Sequence, residues 1–315
     1  MDWQWSAVCD AHTHLHDDKE NISRLGEQVK TGRLGVMGTH MDDLDIVAKL
    51  AGDFKEKVIP FFGLHPWFVH GLSLEDVPDK ELHYRSVLVN TESNKTSSDE
   101  DSLGTIISSL PSPIPLSNWL TTVEKLLIAY PRSHLGEVGL DTSAKLLSPT
   151  TQTPTKIQTS MDHQAAVLEK QLDLAAKHNR SVSLHCVRST GQFVSLIQSK
   201  FGKQQPLPPR ICIHSYSGSV DTIKLLTQST KKKKFPVDMY FSFSSILNGR
   251  NRRFSELVSA VPEDRLLIES DFHSPIGLDG LMREIVEAVA MVKNWTPKET
   301  VERTHTNFMQ FIGEG

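Results

Sequence analysis

The sequence predicts an α/β fold, a single (β/α)8 barrel over residues 1–315, and three observations carry that expectation. Eight short β-rich runs alternate with helix-patterned stretches along the chain. The His and acidic residues that could do chemistry fall late in runs one, four, five, six and eight. A barrel gathers strand ends into one rim in this way, whereas an open doubly wound sheet usually has fewer strands and places its ligand in one crevice. Finally, the alternation is interrupted only by two stretches rich in Ser, Thr, Asp or Pro, about 90–115 and 143–160, which read as low-complexity inserts in the loops after strands three and four.

In chain order, the predicted strands are Val8–Leu15, Gly35–His40, Val58–His65, His134–Asp141, Ser181–Val187, Arg210–Ser215, Met239–Ser245 and Leu266–Asp271. Between them, Asp42–Phe54 carries Leu44, Val47, Ala48 and Ala51 at helical spacing. Met161–His178 does the same with Ala165, Leu168, Leu172 and Ala175, and Leu281–Val292 with Ile285, Ala288, Val289 and Val292. Thr296-Pro297-Lys298-Glu299 reads as a capping box with Pro at the first helical position, opening a last helix that ends near Phe311. The inserts follow strands three and four, so both are placed on the C-terminal rim as loop or partly disordered segments that gate the site, bind a partner or are simply tolerated. Lys231–Lys234 precedes strand seven, at the opposite end of the barrel, and reads as a solvated loop.

Composition sets the bounds. A formal net charge of −4 argues against broad binding of polyanions, although a local basic patch is compatible with it. The three cysteines, Cys9, Cys186 and Cys212, lie in apolar runs, which suits buried thiols in a reducing compartment. Met1–Trp5 lacks the basic and apolar succession of a signal peptide, and no apolar run is long enough to span a bilayer. The expected setting is the cytoplasm, the nucleus or both, with no membrane partner.

One set of residues carries chemistry. In a strand Asp10-Ala11-His12-Thr13-His14, alternation puts Asp10, His12 and His14 on one face, where two imidazoles can grip one cation. Glu137, His185, His214 and Asp271 stand in or at the end of later strands. Taken singly, a His in an apolar strand is usually a satisfied core residue, and a strand-end acid usually caps a turn. Taken together, they resolve a cost that each would bear alone, because burying an unpaired charge or ring costs several kcal/mol and a shared metal removes that cost for all of them. Asp141 shares the Glu137 face and reads as a supporting group or a cap for the next helix.

These motifs resemble the TatD family of metal-dependent deoxyribonucleases, within the amidohydrolase-like barrels. The similarity runs through Asp10-Ala11-His12-Thr13-His14, Gly63-Leu64-His65-Pro66-Trp67, Gly136-Glu137-Val138-Gly139-Leu140-Asp141, Leu184-His185-Cys186, His214-Ser215-Tyr216-Ser217-Gly218 and Glu269-Ser270-Asp271. Gln164 and Gln171-Leu172 resemble the family's helix before strand five, and Thr306-Asn307-Phe308 its closing helix. The resemblance covers essentially the whole chain outside the inserts and is nearest to the fungal branch, for which it implies partner binding as well.

The resemblance implies two divalent cations (Mg²⁺, Mn²⁺ or Zn²⁺) and hydrolysis of DNA phosphodiesters in the manner of an exonuclease, on single strands or 3′ ends. By position, His12, His14 and Asp271 would hold one cation, His185 and His214 the other, and Glu137 would bridge them. Asp271 would also accept the proton of the attacking water. His65 and Arg188 are candidates for contacting the substrate. Two departures stand out: Val187 holds the place where the family commonly has Arg, with Arg188 after it, and Phe272-His273-Ser274-Pro275 replaces a shorter Asp-x-Pro turn. Two other readings fit the same residues: a hydrolase of a small ester, lactone or amide, and a largely non-catalytic protein whose inserts bind a partner.

Overall fold

The computed structural model describes residues 3–91, 97–230, 233–249 and 251–315. Its centre is an eight-stranded parallel sheet. The strands are β1 (Cys9–Thr13), β2 (Arg33–Met37), β3 (Val58–Phe62), β4 (His134–Asp141), β5 (Val182–Val187), β6 (Arg210–Ile213), β7 (Asp238–Phe243) and β8 (Leu266–Ile268), neighbours in that order. The sheet curls back on itself where β8 meets β1. There Asp271 N donates to His12 O at 3.0 Å, while the Asp10 carboxylate accepts from Ser270 N at 2.9 Å and Ser270 Oγ at 2.5 Å. The predicted (β/α)8 barrel is therefore the architecture found.

Helices follow the strands as their patterns require. They are α1 (Leu44–Asp53), α2 (Lys80–Val87), α3 (Ser97–Ser109), α4 (Leu116–Ala129), α5 (Met161–Lys177), α6 (Thr190–Gly202), α7 (Val220–Leu226), α8 (Phe254–Ala260), α9 (Leu278–Lys293) and α10 (Pro297–Ile312). The capping box forms: Glu299 N donates to Thr296 Oγ1, and Thr296 N donates to the Glu299 carboxylate. The connection after β1 departs from the regular repeat. It has only one α-helical turn, Leu25–Gln28, and the segment is anchored by buried Leu15, Leu25 and Val29. Among the described residues, no helix is long and apolar enough to cross a membrane.

Two apolar layers follow from strand alternation. Leu34, Val36, Ile211, Ile213, Phe241 and Phe243 face the helices in the main core. Their neighbours Met37, Ile59, Phe61, Cys212, Tyr240 and Leu267 fill the barrel interior, where Phe308, Phe311 and Ile312 of α10 join them and plug its floor. The site is thus left to the other, C-terminal mouth.

The inserts correct the sequence reading. They do lie in the connections after β3 and β4, but they are not merely loop. The first contains α3, and the second ends in a short strand, Ile157–Thr159, that pairs antiparallel with Leu88–Asn90. Ile106, Ile107, Leu146 and Ile157 pack with Tyr84, Val87 and Leu88 into a small separate core. A low-complexity composition hides this, because the few apolar residues that build it come from distant segments. Residues 92–96 of the first insert lie outside the described residues, as do Lys231 and Lys232 of the lysine run. The rest of that run, Lys233–Lys234, pairs antiparallel with Ser229–Thr230.

β4 and β5 approach so closely that position 139 admits only glycine. A Cβ on Gly139 would sit 1.9 Å from His185 O. Backbone cannot yield as a flexible side chain can, so Gly139→Ala is expected to cost about 3 kcal/mol. Urea unfolding checks this: a midpoint matching the parent chain would mean that the two strands part without cost.

Candidate active site

At the open mouth, the Glu137 carboxylate is buried at the end of a ring of imidazoles, and its two oxygens face different partners. Oε2 lies 3.3 Å from His12 Nε2 and 3.3 Å from His14 Nε2. Those two nitrogens are 3.1 Å apart, and Asp271 Oδ1 completes the group at 3.5 Å from His14 and 3.9 Å from His12. Oε1 lies 2.8 Å from His185 Nδ1, 2.8 Å from His214 Nε2 and 3.3 Å from His65 Nε2. His12 also stacks face to face on His214, with centroids 3.8 Å apart. The structure thus brings together His12, His14, His65, Glu137, His185, His214 and Asp271. Asp10 departs from the predicted shared face: a bulge interrupts the β1 ladder between Asp10 and Thr13, and its carboxylate holds Ser270.

Supporting groups fix which nitrogen each ring presents. His185 faces a carboxylate on each side, Asp141 Oδ2 at 3.2 Å from Nε2 and Glu137 Oε1 at 2.8 Å from Nδ1. Carboxylates can only accept, so both ring nitrogens donate and the two acids raise the ring's pKa; with a cation at Nδ1 the remaining proton would stay on Nε2, held by Asp141. Asp141 is fixed in turn by Trp67 Nε1 at 2.7 Å and by Ser143 N and Oγ at 2.7 and 2.6 Å. His12 Nδ1 pairs with Ser183 Oγ at 2.8 Å. His214 Nδ1 lacks a hydrogen-bond partner among the described residues and lies 3.6 Å from Glu269 Oε1, which accepts from Ser215 N and Oγ. Metal-binding histidines characteristically have their second nitrogen held by a carboxylate or another polar group.

His65 behaves differently. Its Nδ1 accepts from Trp67 N at 3.2 Å, so the neutral ring carries its proton on Nε2 and donates it to Glu137 Oε1. Burial pushes His65 down to about 4 despite Glu137, which keeps it neutral. Expected from the sequence to contact substrate, it lines the mouth and also sits against the Glu137 carboxylate. Arg188 follows the last residue of β5 with its side chain exposed, and it is not among the groups lining the mouth. His273 is also exposed.

The electrostatics call for positive charge at the centre. Burial works to raise the Glu137 carboxyl, but His65, His214 and His12 around it hold it well below the usual carboxylate range. Burial likewise opposes charge on His14, yet Asp271 and Glu137 lift it to about 10, and Glu137 and Glu269 lift His214 well above the imidazole range. Protons here take the place that any cation would fill. Nitrogens and oxygens about 2.0–2.2 Å from a shared metal lie about 3.0–3.5 Å from one another, and the distances in the two groups, 2.8–3.9 Å, bracket that spacing. His12, His14 and Glu137 form one such group and His65, Glu137 and His185 another; a third, His12, His214 and Glu269, shares His12 with the first. The donor set fits divalent cations.

The rim itself is strained. Arg188, Ser215 and Asp271 adopt left-handed φ values of 52°, 40° and 50° just beyond β5, β6 and β8. Each costs of order 1 kcal/mol or more in a non-glycine residue, and such outliers cluster at functional sites. Helix α5 steadies the same rim from outside. Gln164 Oε1 accepts from Asp141 N at 2.8 Å, and Gln171 Oε1, two turns on, accepts from Leu64 N at 3.0 Å. The mouth opens into a cavity of about 600 Å³ lined by His14, His65, Trp67, His185, His214 and Asp271, among others. Sequence reasoning gave no role to Glu269, Ser183, Ser215 or Trp67. A usable signal existed for Glu269 alone, an acid directly after the apolar run Leu266-Leu267-Ile268.

Comparison with known proteins agrees with this geometry. The family model described as TatD related DNase matches residues 9–313. Cut9-interacting protein scn1 of Schizosaccharomyces pombe is 33% identical over 97% of this chain and 98% of its own. A Saccharomyces cerevisiae protein described as uncharacterized deoxyribonuclease YMR262W is 28% identical over 84% of this chain and 83% of its own. Among solved structures, the TatD homologue YJJV from Escherichia coli K12 superposes with a TM-score of 0.60, covering 98% of each chain at 16% identity, a likeness of fold.

Proposed function

The chain belongs to the TatD related DNase family, whose members are metal-dependent hydrolases, and on that premise we propose that its rim site hydrolyses DNA phosphodiesters with the help of two divalent cations. One observation carries the reading: the two oxygens of Glu137 face two separate nitrogen groups, as a carboxylate shared between cations must. His12, His14 and Asp271 would hold one cation and His185 and His214 the other, with Mg²⁺, Mn²⁺ and Zn²⁺ all compatible with a mixed His and carboxylate set. Bound there, the cations would make the water more acidic and neutralise charge building on phosphate oxygens.

The chain's own residues do the rest. Asp271 divides its oxygens: Oδ1 faces His14, while Oδ2, 3.2 Å from the Ser215 hydroxyl whose proton goes to Glu269, keeps a lone pair free and would take the proton from water. Burial raises the Asp271 carboxyl, but His14, His214 and His12 hold it well below the ordinary range, so it is ionised at neutral pH. His65 fixes Glu137 by donating to Oε1, and Asp141 fixes His185. Asp141→Asn is expected to weaken cation binding about 10–100-fold, the usual cost of losing a carboxylate behind a metal-bound histidine. Calorimetric titration with Mn²⁺ measures it, and an unchanged Kd would remove Asp141 from the machinery.

The test of the reading as a whole is metal analysis of the purified chain together with assays on single-stranded and 3′-ended DNA in Mg²⁺, Mn²⁺ and Zn²⁺. A chain that binds no cation, or that cuts none of these substrates with any of them, overturns it. A protein-binding role alongside hydrolysis is the second reading. It is supported by the exposure of Val77 (90%) and Leu82 (71%) near the first insert and by the name of the fission yeast relative. Insert deletion that abolishes partner binding while DNA turnover persists would separate the two roles.

A further inference from the structure

A second cavity, of about 650 Å³, lies beside the first, and Trp67 and Phe68 border both. Its far side is built by the two inserts: Ile106 and Leu110 from the first, Leu146 and Leu147 from the second. The inserts therefore do more than cover the barrel; they wall a chamber that opens next to the reacting centre. Its volume is that of a small-molecule site.

The lining says what the chamber accepts. Trp67 is half exposed (52%), while its indole is fixed in place by Nε1 bonding Asp141 and by edge-on packing against His65, centroids 5.0 Å apart. No Asp or Glu lies among the described lining residues, and Lys145, exposed on the second insert, supplies a positive charge in a chain whose net charge is −4. Burial pushes His70, the other titratable group there, down to about 4, so it is neutral. A fixed aromatic face, apolar walls and one cation suit a planar base attached to a phosphate.

Resting on the hydrolase reading above, we propose that this chamber receives the base next to the scissile phosphate of a single DNA strand, with Trp67 as the stacking surface and Lys145 toward a flanking phosphate. A base still paired and stacked in a duplex cannot enter, so the inserts select unpaired strands or frayed ends.

The test uses the full chain and a thymidine pentanucleotide, dT5, without added divalent cation. Tryptophan emission is expected to be quenched on titration, and the quench to be lost in Trp67→Phe. The double variant Lys145→Glu/Leu147→Asp is expected to weaken Kd about tenfold and to lower kcat/KM for dT5 relative to that for bis(p-nitrophenyl) phosphate by a similar factor. Because five Trp residues emit, Trp67→Phe also identifies the source of the signal. An undiminished quench in Trp67→Phe, or a Kd within twofold in the double variant, overturns the chamber's role while leaving the hydrolase reading intact. A wild type that binds dT5 through Trp67 but cuts neither substrate in Mg²⁺, Mn²⁺ or Zn²⁺ overturns the hydrolase reading and supports the chamber.

Discussion

Glu137→Gln is expected to leave a folded barrel whose kcat/KM on DNA has fallen about 10³-fold. The change keeps the side chain's shape but removes the charge on which five imidazoles converge. An amide offers one acceptor oxygen where the carboxylate offered two, so one nitrogen group loses its link to the other. A single preorganised electrostatic group is commonly worth about 10²–10³ in rate, and a shared metal ligand adds lost occupancy to that. Steady-state kinetics at saturating cation give the number, and metal analysis of the same sample separates lost binding from lost chemistry. Activity within about tenfold of the parent would show that Glu137 does not link the two groups.

The second large effect is on stability. Each cation group gathers nitrogens and carboxylate oxygens that are otherwise reconciled by protons on His14, His185 and His214. A cation that binds only the folded chain stabilises it by about 2.7 kcal/mol when free at about 100 times Kd, a Tm rise of about 4 °C for a chain of this size. Differential scanning fluorimetry with Mn²⁺ and Zn²⁺, reversed by a chelator, measures it. The rise should vanish in His12→Ala/His14→Ala, and a Tm indifferent to every cation would mean that the ring closes without metal.

Much of this molecule was legible in its sequence because a parallel barrel writes its strands as apolar runs. The eight predicted runs overlap β1–β8, with His134–Asp141 matching β4 at both ends. His12, His14, Glu137, His185, His214 and Asp271 stood out because such groups inside apolar runs need a reason. The supporting groups were hidden for the opposite cause. Ser183, Ser215 and Ser242 are ordinary in composition, and only the fold places Ser183 on His12 and the other two on Glu269. The proton position on His65 depends on one backbone N–H, that of Trp67, which no spacing rule reveals. Helix α3 was missed because its Ser- and Asp-rich sequence carries few apolar residues, and Ile106 and Ile107 acquire a core only when the chain between β3 and β4 folds over them.

The plugged floor of the barrel has a consequence for biogenesis. Phe308, Phe311 and Ile312 of α10 follow β8 in the chain, yet they fill the cavity beneath β1, which is made before the other strands described. A nascent chain made only as far as Thr304 would present an open, greasy tube with no base. A stop codon within α10 should therefore yield chaperone-bound or degraded product, even though every proposed ligand to the cations precedes that helix.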